Sequence, residues 1–123
     1  MPTASTDYNS PFAWLDGIEV AATVCDRQGV CVYVNERAAQ VFAKDGGRAL
    51  VGRNLLDCHP EPARLRFAAQ LATPAPSSYT IEKAGVRKLI HQVPWYRDGV
   101  FAGVVELSLL LPETLPHFVR DPS

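Results

Sequence analysis

The side chains of this chain best suited to ligation are His59, His91 and the three cysteines Cys25, Cys31 and Cys58. An imidazole at a pocket wall can hold haem iron or a bare metal ion through its unprotonated nitrogen. Cys58, next to His59, brings a thiol to the same point. Neighbouring Cys and His cannot both reach one metal from a regular backbone, so no metal set is assigned. The stretch Asp57-Cys58-His59-Pro60-Glu61-Pro62 also reads as the start of a helix, since proline is tolerated in a first turn. His91 falls in an alternating run, Arg87 to Trp95, and shares a face with Leu89, Val93 and Trp95. That more apolar face is assigned to the lining of a cavity between sheet and helices. There His91 would orient a carboxylate or carbonyl ligand; the competing reading is a hydrogen-bonded core histidine.

Tyr79, Trp95 and Tyr96 combine a flat ring with a polar tip, so they can stack on a planar ligand or fill core. The candidate ligand-binding set is His91, Tyr79, Phe42, His59, Trp95 and Val105. Cys25 and Cys31 flank a turn; in a reducing compartment they pack as small apolar groups. Glu106 interrupts the most apolar run, on one face with Ala102, Val104, Ser108 and Leu110, and Gln92 and Lys88 lie within reach across it. Its expected place is a solvated outer face or a subunit contact, with Ile90, Val104 and Leu110 supplying apolar surface for a homodimer. No Ser-His-Asp order, phosphate loop or paired-carboxylate motif is found, so no catalytic residue is assigned and no enzyme is expected.

The elements that position these groups start with Thr23 to Asn35. Apolar β-branched and aromatic residues stand on either side of Asp26 and Gly29, the residue types of a short hairpin loop. Asn35 ends the second strand and can cap a helix. Strands are expected over Glu19–Cys25, Val30–Val34, Ser78–Ala84, Arg87–Trp95 and Phe101–Leu111. Ser10 and Pro11 should start a short helix that Gly17 ends. A second helix follows Asn35, with Ala38, Val41 and Phe42 inward. A third runs from Pro62 to Thr73, with Leu65, Ala68, Leu71 and Ala72 inward and Arg64, Arg66 and Gln70 in water. Asp98-Gly99 marks a hairpin. The result is an α+β architecture of five antiparallel strands with short helices packed on one face.

That order resembles the PAS domain family over residues 18–111. The resemblance rests on the Asp26–Gly29 turn, Tyr33-Val34-Asn35, the Leu50-Val51-Gly52-Arg53 bend, His59-Pro60-Glu61 and the closing hairpin at Gly99. Residues 1–17 are then an N-terminal segment with a cap helix and 112–123 a tail. The resemblance implies a stand-alone sensory module that binds a small ligand between sheet and helices and signals through association with a partner or a second copy. The alternatives are a haem-binding gas or redox sensor using His59 or His91, and a ligand-free dimerisation module. The Asn-Cys-Arg-Phe-Leu-type motif of light-sensing flavin relatives is absent. Leu111 is followed by Pro-Glu-Thr-Leu-Pro rather than by the short motif that leads into a signalling helix.

Composition narrows the classes. An apolar fraction of 47% supports a core, and a net charge of -1 offers nothing to nucleic acid or an anionic membrane. No apolar run reaches transmembrane length, and residues 1–10 lack the plan of a secretory signal. A cytoplasmic location is expected. With three cysteines and no Cys-x-x-Cys pair, neither a disulfide framework nor a structural zinc site is expected.

Overall fold

The computed structural model describes residues 12–122. The expected helix start at Ser10-Pro11 and the frayed segment Met1–Asn9 lie outside them. The first described element is one helical turn, α1 (Ala13–Asp16), closed at Gly17. Strands β1 (Ala21–Asp26) and β2 (Cys31–Val34) follow as a hairpin. Its loop is an Asx turn: the Asp26 carboxylate accepts from the Gln28 and Val30 amides at 2.9 and 3.0 Å. Gly29 supplies the φ of 88° that a side chain would resist.

Asn35 ends β2 and caps α2 (Glu36–Val41), accepting from the Ala38 amide at 2.9 Å. Beyond α2 the chain makes three 3₁₀ turns, at Ala43–Asp45, Gly47–Leu50 and Leu55–Cys58. Helix α3 (Ala63–Ala72) comes next, then β3 (Ser77–Lys83), β4 (Val86–Arg97) and β5 (Val100–Leu110). At the β4–β5 hairpin, Asp98 and Gly99 both have positive φ, the conformation a two-residue loop needs to match strand twist.

All strand pairs are antiparallel, in the order β2-β1-β5-β4-β3. The first hairpin therefore lies alongside the last strand, with Cys25 opposite Val104 and Thr23 opposite Glu106. The close β1–β5 approach explains Gly103. Any side chain there would run into the Cys25 carbonyl oxygen, to which the Trp95 indole donates at 3.0 Å. One core cluster gathers Ala21, Cys31, Val34, Ala38 and Leu50 beneath α2. A second gathers Cys25, Phe67 and Val104 beneath α3. Among the described residues, no helix is long and apolar enough to cross a membrane.

Three expectations are corrected. Val41, expected inward on α2, is 39% exposed, while Ala38 is that helix's buried residue. The face of the sheet turned toward the helices is the one carrying Ile90, Gln92, Val104 and Glu106, not the one carrying His91, Val93 and Trp95; Ile90, Gln92 and Val104 are buried. Both faces are mixed in polarity, so alternation alone could not choose between them. Helix α3 is also rotated: Phe67 and Gln70 are buried, while Leu65 is 64% exposed. Phe67 has the largest apolar surface on the helix, and its burial sets the phase.

Asn35 holds these pieces together. Its side-chain oxygen accepts from the Ala22 and Ala38 amides, and its amide donates to the Leu15 and Val20 carbonyls, at 2.7–2.9 Å. Asn35→Ala leaves these four backbone groups, two buried and two part-buried, short of a partner. With each orphaned group costing about 1–3 kcal/mol, the expected loss is at least about 3 kcal/mol. Urea denaturation measures it; a loss below about 1 kcal/mol would contradict this role for Asn35.

Candidate functional site

Between the sheet and the helical layer lies a cavity of about 140 Å³. Its floor comes from Thr23 and Cys25 of β1, Gln92 of β4, and Val104 and Glu106 of β5. The roof is Phe42 at the end of α2, Asp45 and Leu50 of the first two 3₁₀ turns, Leu55 and Cys58 of the third with His59 just beyond it, and Phe67 of α3. Local sequence explains the roof. The Gly46-Gly47 pair breaks the helix after Phe42, and both glycines have positive φ, so the chain turns across the sheet instead of continuing along it. Asn54 fixes the far end, accepting from the Leu56 amide at 2.9 Å and donating to the Gln28 carbonyl at 3.2 Å.

The polar groups of this cavity have defined partners. Gln92, 6% exposed, donates from Nε2 to Glu106 Oε2 at 2.8 Å, its register partner across β4 and β5. His59 lies 2.6 Å from the Leu55 carbonyl through Nδ1. A carbonyl only accepts, so Nδ1 carries the proton and neutral His59 keeps Nε2 as an acceptor. Its ring stacks on Phe67 with centroids 5.2 Å apart. His59 thus closes the preceding 3₁₀ turn; it does not cap α3, which has no side-chain cap.

The expected ligand-binding set is divided by the fold. Phe42 and His59 line the inner cavity. Tyr79 is on the same side of the sheet, opposite Ile90, but lies under the Arg66 guanidinium at 5.3 Å and outside the cavity wall. Burial raises its phenol pKa, Glu106 adds to the rise, and Arg66 opposes it. His91 is on the outer face, bonded to Ser78 Oγ at 2.6 Å. Trp95 and Val105 line a large outer groove of about 1060 Å³, together with Trp14, Val24, Val32 and Leu107.

Sequence reasoning put Glu106 and Gln92 outside and missed Thr23. The available signal was two polar residues in the middle of the two longest strands, which the irregularity at Trp95–Tyr96 brings into register across the hairpin. Asp16 was also missed. Its carboxylate accepts from the Glu36 amide at 2.9 Å and lies 3.4 Å from Arg48. Beside it the Tyr33 phenol is pushed up to about 12, by burial first and then by Asp16.

The residues present do not fit a haem. The cavity is smaller than the roughly 300 Å³ at which sites for drug-sized ligands begin, and His91 is on the opposite face of the sheet from it. Among the described residues, no group of three or more His, Cys, Asp or Glu is placed to hold a metal ion.

The fold and site thus define an α+β domain with a small, partly open cavity between its antiparallel sheet and a layer of short helices. Residues 15–108 match the PAS fold family, and the chain belongs to it. A search of curated proteins finds no match. Similar solved structures include a C-terminal domain from Streptococcus mutans, 18% identical, covering 89% of this chain and 90% of that one, with a TM-score of 0.64. The PAS domain of BvgS from Bordetella pertussis is 17% identical over 81% of this chain and 82% of its own, with a TM-score of 0.59. The Aer2 receptor from Vibrio cholerae, described as a dual PAS-haem oxygen sensor, is 18% identical over 80% of this chain and 99% of its own, with a TM-score of 0.57. At these identities the likeness is one of fold.

The thiols follow from the same geometry. Burial pushes Cys25 up to about 11 from its ordinary 9.0, with Asp26, Cys31 and Glu106 adding to it, and burial also raises Cys31. Cys58 is exposed. A shift of this size leaves about 100-fold less thiolate on Cys25 at pH 8. Iodoacetamide labelling read by peptide mass spectrometry should modify Cys58 at least that much faster than Cys25. The neutral Cys25 thiol stabilises the fold fully below pH 9, and this contribution is lost as pH rises through 11. Equal labelling rates in the folded protein would contradict the burial.

Proposed function

We propose that the chain is a sensory module whose inner cavity takes a small ligand and whose outer sheet face passes the response to a protein partner, foremost a second copy of itself. The observation that carries this reading is the space between Gln92–Glu106 and the 3₁₀ turns. Strand β5 supplies the link. Val104 and Glu106 face the cavity, while Val105 and Leu107, on the same strand, line the outer groove. A ligand that packs differently against two positions of the turns biases their equilibrium, and β5 carries the shift to the other face. The turns suit such a role because short 3₁₀ segments open at lower cost than a packed helix or strand.

The ligand arm is tested by thermal unfolding against a library of small metabolites. A ligand present at about 100 times its Kd stabilises a protein by about 2.7 kcal/mol. Such a metabolite should raise the midpoint of the native protein and lose this effect on Val104→Phe, whose ring occupies the cavity. A metabolite that stabilises both proteins equally would contradict the assignment.

The outer face favours self-association because it leaves large apolar side chains in water, with Trp14 65%, Val100 61% and Val32 46% exposed. Light scattering across concentration should show a dimer, and Val105→Asp should return a monomer with unchanged far-ultraviolet circular dichroism. A native protein that stays monomeric at about 1 mM, far above the concentrations at which specific partners pair, would refute the dimer.

A further inference from the structure

Every charged side chain lining the inner cavity is a carboxylate. Glu106 is on the floor, Asp45 belongs to the roof, and no lysine or arginine is among the lining residues. Among the described residues, Glu106 has no ion-pair partner; Gln92 alone donates to it, through Oε2. Arg53 donates to the backbone carbonyl of Asp45 at 3.3 Å, and among the described residues the Asp45 carboxylate has no ion pair. Arg66 is engaged over Tyr79, outside the wall. His59, with Nδ1 committed to the Leu55 carbonyl, offers a second acceptor at Nε2. Gln92 Nε2 spends one of its two N–H groups on Glu106, and the Thr23 hydroxyl on the floor can donate or accept, so the neutral donors carry no charge to offset the carboxylates. The polar side of the cavity is therefore rich in acceptors and negative. The remaining walls include the aromatic rings of Phe42 and Phe67, whose faces attract a cation.

Resting on the reading of this cavity as a ligand site, we infer that its ligand is a small organic cation: a protonated amine carried on a flat apolar body. An ammonium group is the complement of a carboxylate that has a free oxygen and no countercharge, since a charge-assisted hydrogen bond in a low-dielectric site is stronger than a neutral one. An anion would meet two carboxylates and no free donor of positive charge. Size sets the body. A cavity of about 150 Å³ accommodates benzene, so the 140 Å³ here holds a single ring or a short branched chain with its amino group.

Three isosteric probes separate charge from shape: benzylamine, benzyl alcohol and benzoate. Each is titrated into the native protein at pH 7 and followed by amide-resolved NMR. Benzylamine should shift the Gln92, Glu106 and Phe42 amides and bind at least tenfold more tightly than benzyl alcohol, with benzoate silent. Glu106→Gln keeps the acceptor for Gln92 and removes the charge; in that variant the amine's tenfold advantage should disappear while the alcohol still binds. Equal binding of amine and alcohol to the native protein would overturn the cation proposal and leave the cavity as a ligand site. No response at cavity amides to any probe would overturn both.

Discussion

The side chain of Asn35 is the constraint on which the architecture turns. It is fully buried, and one amide group bonds to four backbone groups in three places: Leu15 in α1, Val20 and Ala22 at the start of β1, and Ala38 in α2. A planar amide with two donors and a two-lone-pair acceptor is saturated by this arrangement. Replacing the bonds one at a time is impossible, because each lost partner leaves a buried peptide group without water. The N-terminal turn, the first strand and the first long helix are therefore locked into one relation. The hairpin that carries Cys25 and Thr23 into the cavity floor is placed by the same bonds.

From that fixed corner the structure divides its sheet between two tasks. The helix side is packed tightly at its two ends, under α2 and under α3, and left open between them. The chain crosses this gap in 3₁₀ turns, because Gly46 and Gly47 end α2 and Pro60 and Pro62 delay α3. A space bounded by turns cannot be filled as a helix fills it, and the polar pair Gln92–Glu106 is accommodated there with its own hydrogen bond. Among the described residues the outer side has no helical cover beyond α1, and it leaves Trp14, Val32 and Val100 exposed. An exposed face with large apolar side chains and a mainly apolar cavity holding one polar pair thus lie on opposite sides of strand β5.

Much of this was legible in the residues. Turn chemistry placed the hairpins at Asp26–Gly29 and Asp98-Gly99, strand runs placed all five strands to within a few residues, and Asn35 was recognisable as a cap. Those features depend on local backbone preferences, which a short window records. The orientation of β4 and β5 was not legible in the same way. Leu89, His91, Val93 and Trp95 make the more apolar stripe, and a rule that apolar means inward points them to the cavity. The rule fails because the outer face is apolar for a reason of its own, and the inner face admits Gln92 and Glu106 as a bonded pair. Helix α3 shows the same limit: helical spacing favoured the stripe of Leu65, Ala68, Leu71 and Ala72, whereas the volume of Phe67 decided the phase. Of the candidate ligand residues, Phe42 and His59 were placed at the cavity because their position follows from helix breaks. His91, Trp95 and Val105 were displaced together by the single parity error.

The central claim is that the functional space is the cavity on the Gln92–Glu106 side of the sheet. Xenon is its most direct probe, since it enters small apolar cavities without chemical preference. A crystal of the protein pressurised with xenon should show one atom in contact with Phe42, Phe67 and Val104. Xenon density only in the outer groove beside Trp95, or none in the interior, would contradict the account.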